Sequence, residues 1–297
     1  MTSKQPAAGA TAVPEVTGFF HEPTFSISYL VADPVTKHAA IIDSVLDYDH
    51  KAGRTSTRFA DTIIAAAEQR GLTVDWVLET HVHADHLSAG AYLRDRLGAT
   101  LAIGENVTEV QRYWADLFNT GPGFTADGSQ FDRLFTDGDE FAIGALQARV
   151  LYTPGHTPAC VSYVIGDAAF VGDTIFMPDY GTARCDFPGG DARQLYRSIQ
   201  RLLSLPDQTR LFMCHDYGPG GRPYAWETTV ADQKARNKHV GGGVPEDAFV
   251  VQREARDREL EAPNLILPSL QVNIRGGRLP PPEDNGTIYL KIPLNRL

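Results

Sequence analysis

Glu79 to Gly90 reads ETHVHADHLSAG. His81, His83, Asp85 and His86 fall within six positions, just after an apolar strand-like run, Val74 to Glu79 (VDWVLE). In an extended segment residues i and i+2 face the same side, so His81 and His83 converge on one point. Leu87 to Leu97 (LSAGAYLRDRL) has helical spacing and is closed by Gly98. A helix is therefore expected there, with Asp85 and His86 at its start, aimed back toward the strand end.

The pattern recurs further along the chain. His156 in TPGHTP follows the apolar run ARVLY, Asp173 in VGDT follows AAFV, and His215 in CHDY follows RLFM. In sheet-based α/β folds, strand ends are where ligand groups gather on a rigid frame. Imidazoles and carboxylates converging at such ends suit a divalent first-row metal. A single histidine beside a strand is more often a satisfied core or surface residue. The recurrence, with glycine or proline at the adjoining turns, points to a metal site. His21, His38, His50 and His239 lie outside the pattern and are read as structural.

Strands and helices alternate through the first 230 or so residues. Two strands are expected within Thr24 to Asp43, turning at Asp33-Pro34, then a helix over Arg58 to Arg70 that stops at Gly71. A strand at Thr100 to Ile103 leads into a polar, aromatic-bearing loop region through Asp137. Leu146 to Tyr152, Val161 to Ile165 and Ala168 to Val171 read as strands, Gln194 to Leu203 as a helix and Arg210 to Cys214 as a buried strand. The organisation expected is a flexible N-terminal segment over 1–18, a catalytic domain over 19–240, and an extension over 241–297 packed on that domain or on a partner subunit. GGGVPEDAF reads as a loop within the extension, and LPPPEDNG breaks any regular element.

The 297 residues carry a formal net charge of −10 and 42% hydrophobic residues, the composition of an ordinary soluble globular protein. Nucleic acid and anionic membrane surfaces reward clustered Lys and Arg, so neither is expected as a partner. No run approaches the roughly 18 apolar residues of a membrane span, and no signal-type apolar region opens the chain. Cys160, Cys185 and Cys214 form no CxxC pair and are too few for a disulfide framework. A reducing cytoplasm is the expected location.

Taken in order, THVHADH, PGHT, GDT and CHDY resemble the metallo-β-lactamase-fold signature. The resemblance implies a four-layer αββα sandwich, an α/β architecture with metal at one edge between two sheets. Within that superfamily, ETHVHADHLSAG, PGHTPACVSYVIGDAAFVGDTIF and GTARCDFPGGD look like the persulfide dioxygenases, in a bacterial long form. Ser44 in IIDSVLDYD stands where the family pattern has proline. This likeness implies one Fe(II) per chain held by His81, His156 and Asp173. Two imidazoles and one carboxylate leave open positions on an octahedral iron, as in oxygen-activating non-haem enzymes. The implied reaction oxidises glutathione persulfide with O2 to sulfite and glutathione.

His83, Asp85, His86 and His215 then orient ligands and water through hydrogen bonds. The same residues would also complete a two-zinc site, as in a glyoxalase II-like thioester hydrolase or a lactonase, which remains the alternative. Glutathione carries two carboxylates and one ammonium, so fixed cations and donors are expected around it. Arg184, matching the family's loop arginine, is the first candidate and Tyr217 the second, with Arg222 weaker. The proline-broken tail ending in TIYLKIPLNRL suggests a homo-oligomer, most simply a dimer.

Overall fold

Residues 13–296 are described by a computed structural model of the chain. The lead-in expected over 1–18 lies outside the described residues as far as residue 12, and from Glu15 it is already strand. The first half runs β1 (Glu15–His21), β2 (Ser26–Ala32), β3 (His38–Ile42), β4 (Val45–Asp49), β5 (Arg54–Ser56), α1 (Arg58–Gln69), β6 (Thr73–Leu78), β7 (Leu87–Ser88), α2 (Gly90–Leu97), β8 (Thr100–Gly104), α3 (Val107–Leu117) and β9 (Arg133–Phe135). The second half runs β10 (Glu140–Ile143), β11 (Leu146–Tyr152), β12 (Val161–Ile165), β13 (Ala168–Phe170), α4 (Ala192–Leu203), β14 (Arg210–Phe212), β15 (Glu227–Thr229), α5 (Val230–Arg236), α6 (Glu246–Asp257) and α7 (Ile266–Asn273).

Two six-stranded sheets form, in the orders β1-β2-β3-β6-β8-β9 and β10-β11-β12-β13-β14-β15. Alternation along β2 explains how they stack. Ile27, Tyr29 and Val31 face the second sheet and meet Tyr163, Ile165 and Phe170. Leu30 and Ala32 point the other way, into a layer with Ile63 of α1, Leu93 of α2 and Trp114 of α3. Behind the second sheet, Leu151, Ala169 and Leu211 pack on Leu195, Ile199 and Leu202 of α4. The result is helix, sheet, sheet, helix: the αββα sandwich. No helix among the described residues is long and apolar enough to cross a membrane.

Three local expectations are corrected. Leu87–Ser88 is a short strand paired with Leu46 and Val45 of β4, so helix α2 begins only at Gly90. Asp85 and His86 therefore sit in a loop and not on a helix start. The region taken as loop before Asp137 contains α3, whose Val107, Val110, Trp114 and Leu117 make one buried face, and the strand β9. In the extension, GGGVPEDAF gives way at Glu246 to α6. The buried face of α6 is Phe249, Arg253 and Asp257, with Arg253 Nη2 to Asp257 Oδ1 2.6 Å. Two of those three residues are charged, so hydrophobic periodicity has nothing to detect. Residues 246–274 pack on the domain itself: Phe249 joins the α4 layer, and Ile266, Leu270, Val272 and Ile274 join the core of α1 and α2.

Candidate metal centre

Parallel strands deliver the donors to one edge. β3, β6 and β8 run parallel, as do β13 and β14, so the chain leaves β6, β13 and β14 close together. His81 follows β6, Asp173 follows β13 and His215 follows β14. Two glycines permit the tight turns. Gly155 has φ +134° and lies so close to α4 that a Cβ would be 2.3 Å from the Leu195 nitrogen. Gly172, at φ +51°, would place a Cβ 2.6 Å from Thr80 Oγ1. Side chains at either position would displace His156 or Asp173.

His81, His156 and Asp173 form one set of donors whose ligand atoms lie within 4.8 Å of one another. His81 Nε2 and His156 Nε2 are 3.8 and 3.6 Å from Asp173 Oδ2. Their tautomers are set from behind. His156 Nδ1–H donates to the Arg184 carbonyl at 2.8 Å, leaving Nε2 with its lone pair toward Asp173. For His81 the setting runs through two residues. The Thr80 hydroxyl donates to Asp43 Oδ2 at 2.9 Å and therefore accepts from His81 Nδ1–H at 3.0 Å. Asp43 also accepts from the Thr80 amide at 2.7 Å.

His83 falls into a second set, with Asp85, His86 and His215. Its Nε2 lies 3.2 Å from both Asp43 Oδ1 and Glu79 Oε2, a buried clamp of two carboxylates on one imidazole. Burial alone would lower the His83 pKa, but Asp43 and Glu79 outweigh it and hold it well above the ordinary value. His215 Nδ1–H donates to the Phe25 carbonyl at 3.2 Å, and its Nε2 is 3.2 Å from Asp85 Oδ2 and 3.4 Å from Asp173 Oδ1. His86 donates from Nδ1 to the Leu87 carbonyl at 3.2 Å. Burial pushes His81 well below the ordinary imidazole range and His86 down to about 3, so both are neutral, the form that ligates.

The donors fit a cation on their own account. His81 Nε2, Asp85 Oδ2, His86 Nε2, Asp173 Oδ1 and His215 Nε2 are buried without a hydrogen-bond partner. Each such atom costs roughly 1–3 kcal/mol when left unsatisfied. A concentration of lone pairs at one point is relieved by a metal ion and by little else.

Above the donors opens a cavity of about 1040 Å³, lined by His156, Asp173 and Asp85 at one end and by α6 and the segment after it at the other. Arg184 and Tyr217 both line it. The Arg184 guanidinium is engaged with Asp186, at 2.6 and 2.7 Å, and with the Glu261 carbonyl at 2.7 Å. Tyr217 stacks on Tyr180 with ring centroids 4.6 Å apart. Arg222 is held by Asp179 and Asp216. The three cysteines are free and buried, and burial pushes the Cys160 thiol up to about 12.

Sequence reasoning missed Asp43, Glu79 and Asn273. Asp43 closes an apolar strand just as Asp173 does, a signal that could have been read. Asn273 has no local signal. Its Nδ2 donates to the carbonyls of His83 and His86 at 2.8 and 2.7 Å, and its Oδ1 accepts from the Ser88 amide at 2.7 Å. An asparagine near the end of the chain thus clamps the metal loop from behind.

Comparison with known proteins agrees with this geometry. Residues 21–215 match the family model of the metallo-beta-lactamase superfamily. A probable metallo-hydrolase of Burkholderia pseudomallei is 59% identical over 95% of this chain and 99% of its own. Glyoxylase B2 of Dictyostelium discoideum is 53% identical over 90% and 92%. Human mitochondrial persulfide dioxygenase ETHE1 is 29% identical over 70% and 71%. The crystal structure of ETHE1 from Myxococcus xanthus superposes with a TM-score of 0.71 at 30% identity, covering 89% of this chain and 100% of that one. The chain spans 66% of the length of three beta-lactamase hydrolase-like proteins that it also matches.

Proposed function

The chain belongs to the metallo-β-lactamase superfamily, and from that premise we propose that it is an iron(II)-dependent persulfide dioxygenase acting on glutathione persulfide. The observation that carries this reading is the donor set His81, His156 and Asp173, two imidazoles and one carboxylate, with His83 outside it between Asp43 and Glu79. An iron(II) held by that set would supply open coordination positions and one-electron chemistry. The likeness to proteins named ETHE1, one of them described as a persulfide dioxygenase, supports the same reading.

In the proposed reaction the outer persulfide sulfur is oxidised and O2 is reduced. Both oxygen atoms of O2 and one from water end on that sulfur, giving sulfite. The S–S bond breaks, and the inner sulfur leaves as the thiol of glutathione. The chain's own contribution is placement. The Asp43–Thr80 pair and the Arg184 carbonyl hold the two imidazoles in one tautomer, and Phe176 and Phe187 in the cavity wall limit water around the reacting sulfur.

A second reading rests on one further observation. Asp85, His86 and His215 have buried, unpartnered donor atoms of their own, the set a dinuclear thioester hydrolase would use. One set of assays separates the two. Protein reconstituted anaerobically with Fe(II) is expected to consume O2 when glutathione persulfide is added, to release sulfite, and to lose both in His156→Ala. Folded, iron-loaded protein that takes up no O2, while two-zinc protein hydrolyses a glutathione thioester, would replace the dioxygenase with the hydrolase.

A further inference from the structure

The outer end of the cavity carries an unusual charge pattern for a chain of net charge −10. Four cationic side chains line the cavity: Arg184, Lys238, Arg253 and Arg256. Two of them are already neutralised. Arg184 holds Asp186, and Arg253 is buried against Asp257 with Nε to Oδ1 2.9 Å. Lys238 has no carboxylate partner among the described residues, and its ammonium lies over the Tyr180 ring, 5.2 Å from the centroid. Arg256 reaches Glu259 at 3.3 Å, an exposed pair of the kind that contributes little. The cations lie near one another: burial and the neighbouring Arg253, Lys238 and Arg256 lower the pKa of His239 to about 4.

Ring stacking links this end to the metal donors. Lys238 sits on Tyr180, Tyr180 stacks on Tyr217 at 4.6 Å, and the Tyr217 ring lies parallel to His215 with centroids 6.0 Å apart. One cavity is lined both by His156 and Asp173 and by Lys238, Arg256 and Glu259, so a ligand whose sulfur meets the donors can place charged ends beside α6. Lys238, Arg256 and Glu259 offer two positive groups and one negative group, the complement of two carboxylates and one ammonium.

We propose that Lys238, Arg256 and Glu259 form the carrier-recognition end of the cavity, selecting a dicarboxylate tripeptide thiol over smaller or less charged carriers. The inference rests on the persulfide reading for the reacting sulfur, but not for the binding it describes. Its test is titration of the full-length, anaerobically iron-loaded protein with reduced glutathione and with glutathione monoethyl ester, which lacks the glycine carboxylate charge.

Wild-type protein is expected to bind glutathione about tenfold more tightly than the ester, a difference of about 1.4 kcal/mol. Lys238→Ala and Arg256→Ala should each weaken glutathione binding, and one of them should erase the preference over the ester. Arg256→Lys should retain part of the affinity. Lys234→Ala, whose partner is Asp207 on the surface, is the control expected to behave as wild type. Oxygen uptake with glutathione persulfide is read in parallel, where KM should rise far more than kcat falls. Glutathione binding unchanged in both alanine variants overturns the assignment, even with oxygen uptake intact. Binding that depends on the cations without any oxygen uptake keeps the assignment and removes the dioxygenase.

Discussion

Asp43 shows how much one buried carboxylate can organise. It accepts from the Thr80 amide, the Thr80 hydroxyl and His83, and so touches both donor sets without belonging to the His81 triad. Its backbone is left-handed, φ +50°, a conformation that aspartate tolerates better than most residues. Asp43→Asn replaces one acceptor oxygen by a donor, leaving either Thr80 or His83 unmatched. Iron affinity should fall about 10- to 100-fold, as is typical when a group behind a ligand is lost. Competition with a chromogenic chelator measures this, and unchanged affinity would mean that Thr80 alone orients His81.

Asp33 is a second residue with a definite consequence. Burial would raise its pKa, but hydrogen bonds from the Thr36 hydroxyl and the amides of Ala145, Val35 and Thr36 outweigh that and hold it at about 2. Because the folded value lies below the unfolded one, its stabilising effect is complete above about pH 4 and disappears as pH falls toward 2. Denaturant melts of wild type and Asp33→Asn should differ most at neutral pH and converge through that window. A constant gap would mean that the Asp33 charge is not what the turn requires.

At the level of elements, strands that carry the donors were legible because they are short apolar runs ending in Gly, Pro, His or Asp. The donor residues themselves were legible for the same reason. Element type failed where tertiary contacts, and not local pattern, decide it. Leu87 has helical spacing but pairs with β4, and the buried face of α6 is mostly an ion pair. Arg184 was named from its loop, yet its charge is turned to Asp186, two residues away. Lys238 and Arg256 carry no motif and meet only through the fold.

The contact between α7 and the metal loop is the element-scale feature most open to test. Asn273→Ala would leave the carbonyls of His83 and His86 and the amide of Ser88 buried without their partner. At roughly 1–3 kcal/mol for a buried unsatisfied group, a loss on the order of 3 kcal/mol is expected. Chemical denaturation measures it. A loss below about 1 kcal/mol would mean that the loop is held by its other contacts.

For the whole molecule, the core is independent of any ion. Both sheets and the helix layer on each outer face contribute apolar side chains to three buried clusters. Chelation should therefore lower the melting temperature by the mass-action amount while leaving a single cooperative transition and the folded far-ultraviolet spectrum. Unfolding on chelation would assign the metal a structural task instead. Ending the chain at residue 245 should have the opposite effect. It uncovers Leu195 and Ile199 beneath α6 and removes Ile266, Leu270 and Val272 from the core, so aggregation is expected in place of a smaller stable domain.

The Asn273 clamp also bears on how the protein is made. Synthesis runs from the amino terminus, so the histidines at 81, 83 and 86 leave the ribosome long before residue 273 does. Until that asparagine emerges, the loop bearing them has no lock, and a metal captured by the growing chain meets an unfinished site. Chains terminated between residues 215 and 273 would carry all of the donor residues and still lack a rigid centre. A residue translated well after every donor thus acts as a check that α7 is in place before the metal is securely held.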